Sequence, residues 1–144
     1  MELKEINGDL FSCVSSIGHC ISNDFKMGKG IAKQFKTKYP KICESSNYFG
    51  SHLAVFNVEN RFIYNLITKE KFWQKPTYTS LRVSLEQMKG HIEMHKVKCV
   101  GLPAIGCGLD KLNWKIVKNL IREIFKNVPV KIKIYHKREK HRQL

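Results

Sequence analysis

Two residues of opposite charge stand where the chain must change direction. Lys69 closes the apolar run Phe62-Ile63-Tyr64-Asn65-Leu66-Ile67-Thr68, and Asp110 closes the turn Ile105-Gly106-Cys107-Gly108-Leu109-Asp110. A lysine at a strand terminus is ordinarily a solvent-facing stop; held beside a partly dry cleft, its amine is a nucleophile for carbonyl-like carbon. A carboxylate facing it supplies the matching acid and base. Glycines ahead of Asp110 let backbone N–H groups close on an anion with no Cβ in the way. A second pair, in Met27-Gly28-Lys29-Gly30-Ile31-Ala32, opens a helix, and the free N–H groups of a helix N-terminus also favour anions. One glycine pair reads as a tight turn as readily as an anion cradle. Two pairs in one small basic chain point to a diphosphate. The chain has three aspartates, Asp9, Asp24 and Asp110, each beside a glycine or in a segment that reads as a loop.

Spelling removes several alternatives. Gly101 to Gly106 has the spacing of a nucleoside-triphosphate loop, but Cys107-Gly108 stands where Lys and Ser/Thr would hold phosphate and magnesium. Gly28-x-Gly30 resembles part of a dinucleotide fingerprint, yet no acid lies about 20 residues further on at a strand end. A thiol phosphatase built on Cys107 needs an arginine where Asn113 stands. His91 and His95 lie one helical turn apart, a spacing that binds metal, but the His-Glu-x-x-His order is not met and no third ligand is evident, so they read as a solvated face. No metal and no cofactor is expected.

These residues need a scaffold, and 144 residues suit one compact domain that buries roughly 70% of its unfolded surface. No stretch approaches a membrane span, and the start Met1-Glu2-Leu3-Lys4-Glu5 lacks the pattern of a secretory signal. With five cysteines and no Cys-x-x-Cys pair, the chain fits neither a disulfide framework nor a zinc knuckle. The expected setting is the nucleus and cytoplasm, without membrane contact, and the expected state a monomer. A net charge of +14 attracts phosphate-bearing partners.

Strands are expected at Leu3–Ile6, Ile17–Ile21, Leu53–Val58, Phe62–Thr68, Val97–Leu102 and from Val130 to Tyr135, the last with one face in water; Glu59-Asn60-Arg61 reads as a hairpin turn. Helices are expected at Ile31–Lys38, Thr79–His95 and from the N-cap Asn113 through Phe125. Alternating strands and helices favour a three-layer α/β fold with a mixed sheet. Residues 1–137 form the domain, and 138–144 a basic tail that reads as a solvated end or as a nuclear-entry or nucleic-acid contact segment.

Taken together, Gly8-Asp9-Leu10-Phe11, His19-Cys20-Ile21-Ser22, Met27-Gly28-x-Gly30-Ile31-Ala32, Leu66-Ile67-Thr68-Lys69, Lys75-Pro76-Thr77-Tyr78 and Ile105 to Asp110 resemble a macrodomain of the terminal ADP-ribose protein glycohydrolase branch. The resemblance runs from about Leu3 to Tyr135. It implies an α/β/α sandwich with an ADP-ribose cleft and release of mono-ADP-ribose from glutamate or aspartate side chains of proteins, with O-acetyl-ADP-ribose as a similar ester; the alternatives are a non-catalytic ADP-ribose reader and a hydrolase whose basic surface selects ADP-ribosylated nucleic acid. It places Asp9, Leu10 and Tyr135 at the adenine and Ser22 in the cleft. It sets Met27, Gly28, Gly30 and Ile31 by the distal ribose, and the backbone of Ala104, Ile105, Gly106, Cys107, Gly108 and Leu109 around the diphosphate. Lys69 is then the nucleophile and Asp110 the acid/base. Lys29 stands where the family favours a small residue, and Ala104 where relatives can carry Arg.

Overall fold

The computed structural model describes residues 1–137; the expected basic tail, 138–144, lies outside the described residues. Elements follow the chain as β1 (Glu2–Asn7), a 3-10 turn (Leu10–Ser12), β2 (Ser16–Ser22), α1 (Gly30–Lys38), α2 (Ile42–Ser45), β3 (Asn47–Tyr48), β4 (Leu53–Val58), β5 (Arg61–Lys69), α3 (Tyr78–His95), β6 (Cys99–Pro103), α4 (Trp114–Phe125) and β7 (Lys131–His136). The strands form one mixed sheet in the order β1-β7-β6-β2-β5-β4-β3, parallel except where β4 meets β5 and β3.

The central parallel strands β2, β5 and β6 are buried on both faces, as such strands require. One face packs on α3 and α4 through Leu81, Leu85, Met88, Val117, Ile121 and Phe125. The other packs on α1, α2 and the 3-10 turn through Phe35, Ile42 and Leu10. Phe35 is fully buried beneath α1 and stacks on the His19 ring at 3.8 Å; removing such a side chain from water contributes about 2–3 kcal/mol. The hydroxyl side chain of Thr77 and the Ser80 backbone and side chain form a reciprocal cap at the start of α3. Asn113 caps α4 through Lys115 N–H and Ile116 N–H. Glu59 and Asn60, both at positive φ, make the two-residue β4–β5 hairpin, the geometry that matches strand twist.

Two expectations change. The second face of β7 is half-covered rather than wet: Lys131 and Lys133 are partly exposed, while Tyr135 is buried against Cys13 and Gly101 in the cluster that includes Leu10 of the 3-10 turn. His91 does not belong to a solvated face. It is 4% exposed, its Nδ1 lies 2.8 Å from the Tyr64 hydroxyl, and Phe49 and Phe62 meet it edge-on. Burial, with His95 nearby, lowers its pKa to about 4. The helix is pressed onto β5 at that turn, and only His95 faces solvent. Among the described residues no cluster of potential ligands could hold a metal ion, and no helix is long and apolar enough to cross a membrane.

Candidate active site

The carboxyl ends of β2, β5 and β6 open on one side of the sheet, where loops and helix N-termini converge in this architecture. There they border a cleft of about 1060 Å³, the size of a nucleotide-ligand site. All the residues assigned from sequence line it, from Asp9, Leu10 and Tyr135 through Ser22, Met27, Gly28, Gly30 and Ile31 to Lys69 and the segment Ala104–Asp110. They contribute differently. Leu10, Met27 and Ile105 are buried wall residues, with Ile105 belonging to the core beneath α3 and α4.

Lys69 ends β5, and Asp110 lies on the loop after β6; in the sheet, β2 stands between those strands. Lys69 Nζ donates to Asp110 Oδ1 at 3.0 Å, with the two side chains 16% and 21% exposed. The pair is therefore partly shielded yet reachable from the cleft, within the distance for direct proton transfer. Two thiols share this floor. Burial, followed by the charge of Asp110, pushes Cys20 up to about 12, and burial raises Cys107 to about 11. Both stay protonated near neutral pH, so neither is a ready thiolate nucleophile.

The glycines separate into two kinds. Gly30 and Gly106 hold φ of +58° and +74°, and a Cβ on either would press on Leu109 or Leu112, so their backbone conformation favours glycine. At Gly28 and Gly108 a Cβ would meet nothing within 4 Å. Their bareness serves open space in the cleft rather than packing. Cys107 N–H, expected to face a diphosphate, instead donates to the Ala104 carbonyl at 3.1 Å, because the loop closes a turn on itself there. Among the described residues no acceptor engages Gly108 N–H or Leu109 N–H, and the first turn of α1 carries no acid.

Asp9 also has a structural use: its Oδ1 accepts Phe11 N–H at 3.0 Å and caps the 3-10 turn. Ser22 donates its hydroxyl to Asp24 Oδ1 at 2.5 Å, and Asp24 accepts Lys26 N–H and, through Oδ2, Phe72 N–H at 3.0 Å. Asp24 thus clasps the β2–α1 loop to the loop that follows Lys69. Burial opposes its charge, but the bonds from Ser22, Phe72 and Lys26 outweigh burial and lower its pKa. Sequence reading marked Asp24 as a loop aspartate and missed this clasp. It also missed Phe72 and Trp73, 50% and 69% exposed at the cleft mouth, with Lys26 Nζ 5.5 Å from the Phe72 ring; large aromatics in a polar loop were the available signal.

Comparison with known proteins fits this geometry. No family model matches the sequence. Human ADP-ribose glycohydrolase OARD1 is 43% identical over 134 residues, covering 90% of this chain and 88% of the human protein. The chain belongs to the macrodomain family, in its terminal ADP-ribose glycohydrolase branch. By that membership it is a hydrolase, a glycohydrolase. The solved macrodomain of Thermus aquaticus DarG superposes with a TM-score of 0.80 at 26% identity, over 92% of this chain and 97% of that one. A DNA ADP-ribosyl glycohydrolase of Thermus aquaticus is 28% identical over 134 residues, which is 84% of this macrodomain and 37% of that longer protein.

Proposed function

We propose that this macrodomain removes mono-ADP-ribose from glutamate and aspartate side chains of proteins through a covalent intermediate on Lys69 that Asp110 resolves. The observation that carries this reading is the Lys69–Asp110 pair, 3.0 Å apart on the floor of a cleft whose rim holds two open glycines. Backbone N–H groups of Gly108 and Leu109, with the N-terminus of α1, hold the diphosphate and present the distal ribose to the pair. Asp9, Leu10 and Tyr135 border the adenine, and Ser22, Met27, Gly28 and Ile31 the ribose side.

Lys69 gives its ammonium proton to solvent while Asp110 stays a carboxylate, and the freed Nζ lone pair forms a bond to the anomeric carbon. The acceptor carboxylate leaves with the electron pair of the broken C–O bond. Water then adds to the same carbon as Asp110 takes its proton, and Nζ departs, carrying a proton again, with ADP-ribose released. O-acetyl-ADP-ribose carrying its acetyl on the anomeric oxygen presents an equivalent carboxylate leaving group and is cleaved by the same steps. The test is release of ADP-ribose from glutamate-linked mono-ADP-ribosylated protein by wild type, Lys69→Ala and Asp110→Ala. Wild type turns over, Lys69→Ala does not, and Asp110→Ala accumulates an adduct on Lys69 visible by intact mass. Tight ADP-ribose binding without release by wild type would replace the enzyme reading with that of a non-catalytic reader.

A second acceptor class is favoured by the mouth of the cleft. Exposed Trp73 and Phe72 beside Lys26, Lys71 and Lys75 combine stacking surface with positive charge, the pairing used on single-stranded nucleic acid. One relative is named for action on ADP-ribosylated DNA, which supports ADP-ribosylated nucleic acid as an additional substrate.

A further inference from the structure

The strand that delivers Lys69 is irregular at one place. β5 pairs with β2 in register through Ile21↔Ile67, and the next pair is Ser22↔Lys69, so Thr68 is an extra residue with no counterpart on β2. An unbroken ladder would set Thr68 opposite Ser22. A bulge of this kind bends its strand and re-aims the side chain beside it, here the lysine.

An unpaired residue leaves backbone groups that need partners, and both carbonyls around the bulge have them. The Lys69 carbonyl accepts Asn23 N–H at 2.8 Å. The Thr68 carbonyl accepts the Ser80 hydroxyl at 2.7 Å. Ser80 Oγ also lies 3.0 Å from the Thr77 carbonyl, but a hydroxyl has one proton to give, and the shorter contact takes it. The same oxygen accepts Thr77 N–H at 3.0 Å, while Thr77 Oγ1 accepts Ser80 N–H. One side chain therefore fastens the first turn of α3 to the kinked end of β5. Thr68 does not secure itself. It is 3% exposed, and its own hydroxyl finds no partner among the described residues.

We infer that Ser80 is a positioning residue for Lys69, setting the bulge at Thr68 through its carbonyl so that the lysine amine meets Asp110. The inference rests on the reading of Lys69 as nucleophile for its consequence in catalysis, though not for its geometry. Without the Ser80 donor, the Thr68 carbonyl loses its partner and the bulge is free to relax. Lys69 then leaves its seat against Asp110, and a displacement of about 1 Å at a reacting atom costs about 100-fold in rate.

Three variants of the full chain separate positioning from helix capping. Ser80→Ala removes both roles. Ser80→Glu keeps the cap, since a carboxylate at this position still accepts Thr77 N–H, but it cannot donate to Thr68. Ser80→Thr keeps the hydroxyl and both roles. The first readout is acylation of Lys69 by acetic anhydride, followed by peptide mass spectrometry with exposed Lys75 as internal reference. A lysine freed from its partner labels faster, up to about tenfold for the loss of one hydrogen bond. Ser80→Ala and Ser80→Glu are expected to show this rise, and Ser80→Thr to match wild type.

The second readout is single-turnover release from the glutamate-linked substrate, with ADP-ribose affinity measured by calorimetry. The rate is expected to fall by up to about 100-fold in Ser80→Ala and Ser80→Glu, with affinity within about twofold of wild type because the diphosphate loop is untouched. Wild-type labelling and rate in Ser80→Glu, failure of Ser80→Thr to restore them, or an equal loss of affinity would overturn the inference. If wild type releases nothing while Lys69 labelling follows the expected pattern, the glycohydrolase mechanism falls and the positioning role of Ser80 stands.

Discussion

Gly106→Ala and Gly108→Ala, two residues apart in one loop, are expected to fail in opposite ways. At Gly106 the backbone sits at φ +74°, and a Cβ would come within 2.8 Å of Leu112 Cδ1. The left-handed conformation costs an L-residue about 1–2 kcal/mol. The contact adds little, because the atom struck is the end of a flexible side chain. Reduced freedom of the unfolded chain returns about 0.4–1 kcal/mol, leaving a net loss of about 1 kcal/mol, or roughly 2–4 °C in Tm at this chain length. At Gly108 neither term applies, since a Cβ would stand in open space, so Tm is expected to hold or to rise by a degree or two. The added methyl instead occupies the approach to the Gly108 and Leu109 N–H groups. Losing one charge-assisted bond to a diphosphate there costs about 1.5–3 kcal/mol, roughly 10- to 150-fold in Kd. Differential scanning calorimetry and ADP-ribose titration on the two variants measure both quantities. Wild-type ADP-ribose affinity in Gly108→Ala would refute the diphosphate role of this loop, and a Tm loss at Gly108 as large as at Gly106 would refute the division of the glycines.

Stability is also expected to depend on pH through two histidines that the reaction does not use. Burial lowers His19, whose Nε2–H donates to Asn65 Oδ1 at 2.7 Å, and His91 to about 4. The unfolded chain takes up their protons as pH falls through about 6.5, whereas the folded chain refuses them until about 4. Their contribution is therefore complete above pH 6.5 and is lost as pH drops toward 4, with uptake of up to about two protons on unfolding near pH 5. A pH series of denaturant melts checks this, and His91→Gln should remove about one of the two protons; a flat profile would contradict the burial of both rings. At the cleft mouth, Trp73→Ala should slow release from an ADP-ribosylated single-stranded oligonucleotide by about tenfold, the loss of one stacked base. The glutamate-linked protein should be unaffected, and equal slowing on both substrates would remove the case for a stacking platform.

Much of the fold was legible because its signals are local. Val117, Leu120, Ile121, Ile124 and Phe125 recur at helical spacing and are all buried on α4, and the β4 boundaries, Leu53–Val58, agree with expectation. The elements missed, the 3-10 turn, four-residue α2 and two-residue β3, are too short to display a period. His91 was misread because its i+4 partner suggested a polar face, whereas its burial is decided by β5 across the layer, in Tyr64 and Phe62. At the site, residue types and glycine spacing located the cleft. Register did not show in the sequence: nothing in Leu66-Ile67-Thr68-Lys69 indicates that Thr68 drops out of the ladder, since that depends on β2 and on the Ser80 hydroxyl. The clasp by Asp24 was hidden for the same reason, as its partner Phe72 lies 48 residues away.

Strand order also has a temporal consequence. Lys69 and Asp110 are 41 residues apart, one at the end of β5 and the other on the loop after β6, strands that β2 separates, so neither meets the other until β2 has paired on both sides. Both pairings are parallel and long in sequence, the kind of closure that sets the slow steps of folding. A nascent chain that has emerged only through β5 already carries Lys69, the first glycine loop and Asp9, yet lacks Asp110. Chemical competence should therefore arrive in one step with completion of the sheet, and hydrolysis itself can serve as a clock for the last stage of folding.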